Sequence, residues 1–88
     1  ISSKNEPIVK KEQLINLYLN LGDLSLVLGA WSDAKNYFEK SLKISQESGD
    51  DLKKVESRSK LGQIEIKRKR WSLAIDKLEE VLNFKLSL

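Results

Sequence analysis

The densest cluster of chemically active side chains in this 88-residue chain is Lys67-Arg68-Lys69-Arg70, followed directly by Trp71. Such a run can contact phosphates, each contact releasing counterions and making affinity fall with salt, or serve as a nuclear-localisation signal. The net charge is only +3, however, and acids are interleaved with the bases, as in Asp50-Asp51 against Lys53-Lys54 and Lys77 against Glu79-Glu80. A nucleic-acid-binding domain shows a broader basic face, and cations near a helix C-terminus offset the helix dipole, so the run also has an ordinary structural use. A basic patch of Lys67, Arg68, Lys69 and Arg70, touching nucleic acid or an anionic surface or directing nuclear import, is therefore the second reading of this chain.

Catalysis fares worse. The carboxylate pairs Asp50/Asp51 and Glu79/Glu80 are adjacent in sequence, which on a helix points them about 100° apart rather than at one substrate. The chain has no histidine and no cysteine, which removes zinc fingers, thiol nucleophiles, disulfides and imidazole acid–base work together. No Gly-rich phosphate loop or nucleophile elbow is present. The expectation is a non-enzyme with no catalytic, cofactor or metal-binding residues. No apolar run approaches the roughly 18 residues of a membrane span, and residues 1–7 do not resemble a signal peptide. With no cysteine, the chain reads as intracellular, cytoplasmic first and nuclear if the basic run is an import signal. It begins at Ile1 and contains no methionine, and so reads as a fragment of something longer.

The elements that must position any site are helices, and they repeat. A shift of 40 residues superposes Leu21, Gly22, Trp31, Ser32, Ala34, Glu39 and Leu42 on Leu61, Gly62, Trp71, Ser72, Ala74, Glu79 and Leu82, with Leu26 over Ile66 and Phe38 over Leu78 between them. A fixed period of this size means stacked helical units that display surfaces. Pro7 suits a first helical turn, and a long apolar helix with a narrow exposed side runs from there to Gly29. Ser32 is placed to cap a second helix, which Gly49 ends as a left-handed residue. Asp50 or Asp51 caps a third, running to about Arg68. A turn at Lys69-Arg70 leads to a fourth, capped by Ser72. Short connections make neighbours antiparallel, so the expected fold is all-α, two stacked helix hairpins: a flexible segment over 1–6, one unit over 7–49 and a second over 50–88. Gly22 with Ala34, and Gly62 with Ala74, mark where paired helices cross closely, with Phe38 and Leu78 filling the adjoining layer. Trp31 and Trp71, repeated in register, read as packing residues.

Leu21-Gly22, Leu28-Gly29, Trp31, Ala34 and Phe38, followed by Leu61-Gly62, Trp71, Ala74 and Leu78, resemble the tetratricopeptide pattern of Leu-Gly, a turn glycine before an aromatic, then Ala and a later aromatic. The resemblance covers about Leu14 to Phe84. Ser25 and Glu65 stand where the family often has an aromatic, Lys69 replaces the turn glycine, and no proline closes either second helix. The period of 40 is similar to the long-repeat branch found in Leu-Gly-Asn-repeat polarity adaptors. Tonsoku-like repair scaffolds and bacterial peptide-sensing regulators look similar too.

The resemblance implies a non-catalytic protein-binding part of a larger scaffold, whose first helices line a groove for a partner peptide or helix. Carried over residue by residue, that groove is Asn16, Leu19, Asn20, Asp23 and Leu26 in the first unit and Glu56, Ser59, Lys60, Gln63 and Lys67 in the second. Amides there could pair with both polar groups of an extended peptide backbone, and a lysine with a carboxylate. The carboxylate clamp of chaperone-binding members is missing, because Leu19 and Asp23 occupy its positions. Finally, the last helix stays apolar through Val81, Leu82 and Phe84, where a solenoid end normally turns polar. That face suits further repeats or a second chain, so homo-oligomerisation is a third reading.

Overall fold

The computed structural model describes residues 6–87 as three α-helices: α1 (Glu6–Val27), α2 (Trp31–Ser48) and α3 (Asp51–Ser87). The all-α class and the helix hairpin are as the sequence implies. Most of the segment expected over 1–6 lies outside the described residues, but Glu6 already opens α1 and Pro7 lies in its first turn. The molecule is long and thin, 77 × 19 × 12 Å.

Two glycines make the turns. Gly29 (φ 75°) and Gly49 (φ 70°) adopt the left-handed conformation that a Cβ disfavours. Each closes its helix the same way. The Gly29 N–H donates to the Leu26 carbonyl (3.1 Å) and the Ala30 N–H to that of Ser25 (2.8 Å); Gly49 and Asp50 repeat the pattern on Gln46 (3.3 Å) and Ser45 (2.9 Å). These are Schellman closures, which satisfy the last carbonyls of a helix. Asp50 caps α3, its Oδ1 accepting the Lys53 N–H at 3.1 Å. Ser32 does not cap α2: the closure of α1 delivers the chain so directly that Ala30 is the N-cap residue, without a side-chain bond, and Ser32 falls in the first turn.

The α1–α2 hairpin holds most of the core. Ile15, Leu19, Ala34 and Phe38 are buried, joined by Ile64 from α3, with Leu26, Trp31, Ile44 and Leu61 packed around them. Gly22 explains the close approach: a Cβ there would sit 2.7 Å from Cδ1 and Cζ of the Phe38 ring, so only glycine leaves the ring its place. On another side of the hairpin, Tyr18 and Tyr37 stack at 6.3 Å, with the Lys40 ammonium 5.6 Å and 5.9 Å from the two ring centroids. The exposure of α1 is broader than its composition suggests, because Leu14, Leu17 and Leu24 all face solvent.

The first half of α3 packs on α2 and meets α1 only over a short stretch. Three buried serines form the α2–α3 joint. The Ser41 and Ser57 hydroxyls are 2.6 Å apart, so one donates to the other; the second donates to its own helix, Phe38 O for Ser41 or Lys53 O for Ser57 (each 2.8 Å). Ser45 donates to Ser41 O at 2.6 Å. Small side chains let the helices approach, and bonds back to their own turns satisfy the hydroxyls without water.

The second hairpin is not formed. The third and fourth helices of the sequence reading are one continuous 37-residue α3, and Ser72 lies within it rather than capping a new helix. The cause lies in the turn chemistry. Where the first unit has Leu28-Gly29-Ala30, the second has Arg68-Lys69-Arg70. Lysine and arginine are good helix formers, and a side-chain-bearing residue in the left-handed conformation costs about 1–2 kcal/mol, so the helix continues. As a result every described residue from Trp71 to Ser87 is exposed. Gly62 has no atom within 4 Å of where its Cβ would be, so it marks no helix crossing, and Leu78, the counterpart of Phe38, is 69 % exposed.

Candidate functional site

Helical spacing sorts the groove residues into two rows. On α1, Asn16, Asn20 and Asp23 follow one another at four- and three-residue steps and share a face; on α3, Glu56, Lys60, Gln63 and Lys67 do the same. One contact joins the rows: the Lys60 ammonium reaches the Asp23 carboxylate at 2.9 Å, with both side chains partly exposed. Asn16, Asn20, Gln63 and Lys67 are exposed, and Glu56 pairs with Lys53 of its own helix at 3.2 Å. The surface so built carries amide donors and acceptors around a neutralised ion pair, and suits a segment offering backbone polar groups rather than a strong charge.

Two expected members belong elsewhere. Leu19 is 4 % exposed and sits in the core, and Leu26 is half-buried against that core. Both fall on the α1 stripe of Ile15 and Gly22, which the α2 hairpin covers, one step around the helix from the amide row. Ser59 is exposed and falls on the α3 stripe of Val55, Gly62 and Ile66, one step around the helix from the Lys60–Gln63 row.

A second concavity, about 430 Å³, opens where the α1–α2 turn meets the middle of α3, lined by Leu26, Val27, Trp31, Trp71, Lys67 and Arg70 among others. The two indoles meet edge to face, centroids 6.1 Å apart. Trp31 is half-buried against the core, as a packing residue would be, whereas Trp71 is 61 % exposed and has only this flank covered. The basic run winds around α3 instead of forming one face: Lys67 and Arg70 reach the cleft, Arg68 is half-buried, and Lys69 is exposed. Val81, Leu82 and Phe84 are all exposed on the far part of α3.

Sequence reasoning missed the Asp23–Lys60 pair, the tyrosine–lysine stack and the buried serine joint. The pair joins residues far apart in the chain, and only the helix register brings them together. The serines carried a signal in retrospect, since Ser41 and Ser45 are one helical turn apart on the buried stripe of α2. Among the described residues, no group of three or more acidic side chains is placed to hold a metal ion, and no helix is long and apolar enough to cross a membrane.

Comparison with known proteins agrees with the helical pattern. No curated protein and no solved structure matches the chain. The family model described as tetratricopeptide repeat matches residues 13–87, spanning all of α2 and α3 and most of α1. The chain belongs to the tetratricopeptide repeat family.

Proposed function

We propose that this chain is a non-catalytic protein-interaction module of an intracellular, cytoplasmic scaffold or adaptor, taking an extended or helical segment of a partner along the surface shared by α1 and the first half of α3. The observation that carries the reading is the Asp23–Lys60 ion pair. It aligns the amide row of α1 with the Lys60–Gln63 row of α3, so that Asn16, Asn20 and Gln63 stand along one strip. Amide side chains can donate to a peptide carbonyl and accept from its N–H at once, which recognises backbone largely independently of side-chain charge. With Leu19 buried and Asp23 engaged by Lys60, the strip offers no clamp for a terminal carboxylate.

The test is selection of binders from a random peptide library on the intact chain, followed by the Asn20→Ala/Lys60→Ala double variant. Both side chains lie outside the core, so helicity by circular dichroism should be unchanged. The selected peptides should lose about 5- to 150-fold in affinity, losing two hydrogen-bonding groups worth about 0.5–1.5 kcal/mol each. Peptides bound equally well by both proteins would remove the strip as the binding surface.

A further inference from the structure

The strip of amides does not stop at the Asp23–Lys60 pair. On α1, Val27 stands four residues beyond Asp23 and shares the face of Asn16, Asn20 and Asp23; on α3, Arg70 and Ala74 continue the row of Gln63 and Lys67 at three- and four-residue steps. Both rows therefore run into the cleft of about 430 Å³, which Val27, Lys67, Arg70 and Ala74 line together with Trp31 and Trp71. Lys67 belongs to the strip and to the cleft at once. The two stretches differ in chemistry: the strip sets amides around an ion pair that is already neutralised, and the cleft sets indole and aliphatic walls beside two cations. Those cations await a partner. Lys35, Lys53 and Lys54 each pair with a carboxylate three or four residues away on their own helix. No acidic residue stands three or four positions from Lys67 or Arg70, both are exposed, and among the described residues neither is in an ion pair.

We infer, resting on the reading of the strip as a peptide site, that the cleft is its specificity pocket: it takes one large apolar side chain, aromatic by preference, of an extended partner segment, while Lys67 and Arg70 hold an aspartate or glutamate beside that residue. The volume lies near the lower end of the range of about 300–1,000 Å³ for ligand pockets, which suits a single side chain and not a helix. The two indoles meet edge to face with centroids 6.1 Å apart, an arrangement that a third ring extends by stacking or by another edge contact. Asn20 and Val27, like Lys60 and Lys67, are separated by about 10 Å of helical rise, the span of about three residues of extended chain. The anchoring side chain therefore belongs about three residues from the backbone groups that Asn20 and Gln63 meet. Backbone recognition and side-chain selection fall to different ends of one surface. A nucleic-acid strand fits less well, because it needs a basic track with stacking platforms. Here Lys69 does not reach the cleft, Arg68 is half-buried, and Leu26, Val27 and Ala74 make its other walls aliphatic.

Both tryptophans of the chain line the cleft, so their emission reports its occupancy. Peptides selected on the intact chain should be enriched in a large aromatic or aliphatic residue next to an acidic one, and should shift that emission on binding. The Lys67→Ala/Arg70→Ala variant changes two exposed side chains and should keep its helicity. It should bind those peptides about 2- to 30-fold more weakly at low salt, a difference that shrinks as salt rises. Exchanging the peptide's acid for its amide should weaken binding as much in the unmodified chain and little further in the variant, because both changes remove the same pair. Trp71→Ala should weaken binding at least tenfold, as loss of an anchor contact does. Selected peptides that carry no acidic residue, binding indifferent to Lys67→Ala/Arg70→Ala, emission unmoved by a bound peptide, or a single-stranded oligonucleotide held more tightly than any selected peptide would each overturn the inference. The strip is judged separately by Asn20→Ala/Lys60→Ala. Peptides that depend on Asn20 and Lys60 but not on Lys67 and Arg70 leave the strip without the pocket, and the converse leaves the pocket without the strip.

Discussion

The two copies of the repeat differ in outcome far more than in pattern. The first closes into a hairpin that supplies four of the five buried hydrophobic residues, Ile15, Leu19, Ala34 and Phe38; the second contributes Ile64 and, beyond the stretch of α3 packed on α2, runs straight into solvent. Both carry Leu-Gly, Trp, Ala and a large apolar residue at the same spacing. What separates them is the turn: Gly29 can take φ 75°, and Lys69 stays helical. An apolar stripe states what a helix can bury, and the residue at the turn decides whether it buries it within its own chain.

The sharpest way to break the comparison is to remove the same layer from each unit. Phe38→Ala deletes a fully buried ring from over Gly22 and should cost about 3–5 kcal/mol, enough to unfold a domain of this size or leave it barely stable. Leu78→Ala removes a side chain that is 69 % exposed in the single chain, and in dilute solution it should change stability by less than about 0.5 kcal/mol. Urea titration of both variants measures the difference. Comparable losses in dilute solution would mean that the second unit is closed in the monomer after all.

A methyl group at the paired glycines should change sign between the units. At Gly22 the new Cβ meets the Phe38 ring, and the overpacking should cost about 1–3 kcal/mol. At Gly62 there is open space, so alanine's better helix propensity should stabilise the dilute monomer by up to about 1 kcal/mol. Thermal melts at low concentration should therefore move in opposite directions. A loss at both sites would place a neighbour over Gly62 within one chain.

These pairs also mark what the sequence made legible. The helical class, both turn glycines, the Asp50 cap, and the tight Gly22 and Ala34 crossing were readable because each depends on local chemistry that a single residue type signals. The boundary between the third and fourth helices was misplaced because the repeat argued by analogy for a turn while Lys69 argued locally against it, and backbone preference won. The site was less legible than the fold. The family pattern puts Leu19 and Leu26 in the groove by position, but a step of one residue turns a side chain about 100° around a helix, and that separates the amide row from the core stripe. The pairing of Lys60 with Asp23 depends on how α1 and α3 stack, a tertiary fact with no local signature.

The smallest expected effect is at the turns, and it tests the cause rather than the consequence. Gly29→Lys asks a side-chain-bearing residue to take φ 75° with no clash, since nothing lies within 4 Å of its Cβ position, so the cost should be the conformational one alone, about 1–2 kcal/mol. The reciprocal Lys69→Gly should lower the helicity of α3 at its midpoint, since glycine costs about 1 kcal/mol in a helix interior, and should supply the missing turn residue. With the turn available, Leu78 can reach Gly62 of its own chain, and the first unit's geometry can be copied within one molecule. Circular dichroism should show a loss of helix confined to a few residues, and small-angle scattering a molecule shorter than 77 Å. If Lys69→Gly leaves both unchanged, the straightness of α3 comes from the neighbouring residues of the basic run, and Arg68 and Arg70, rather than Lys69, keep the second unit open.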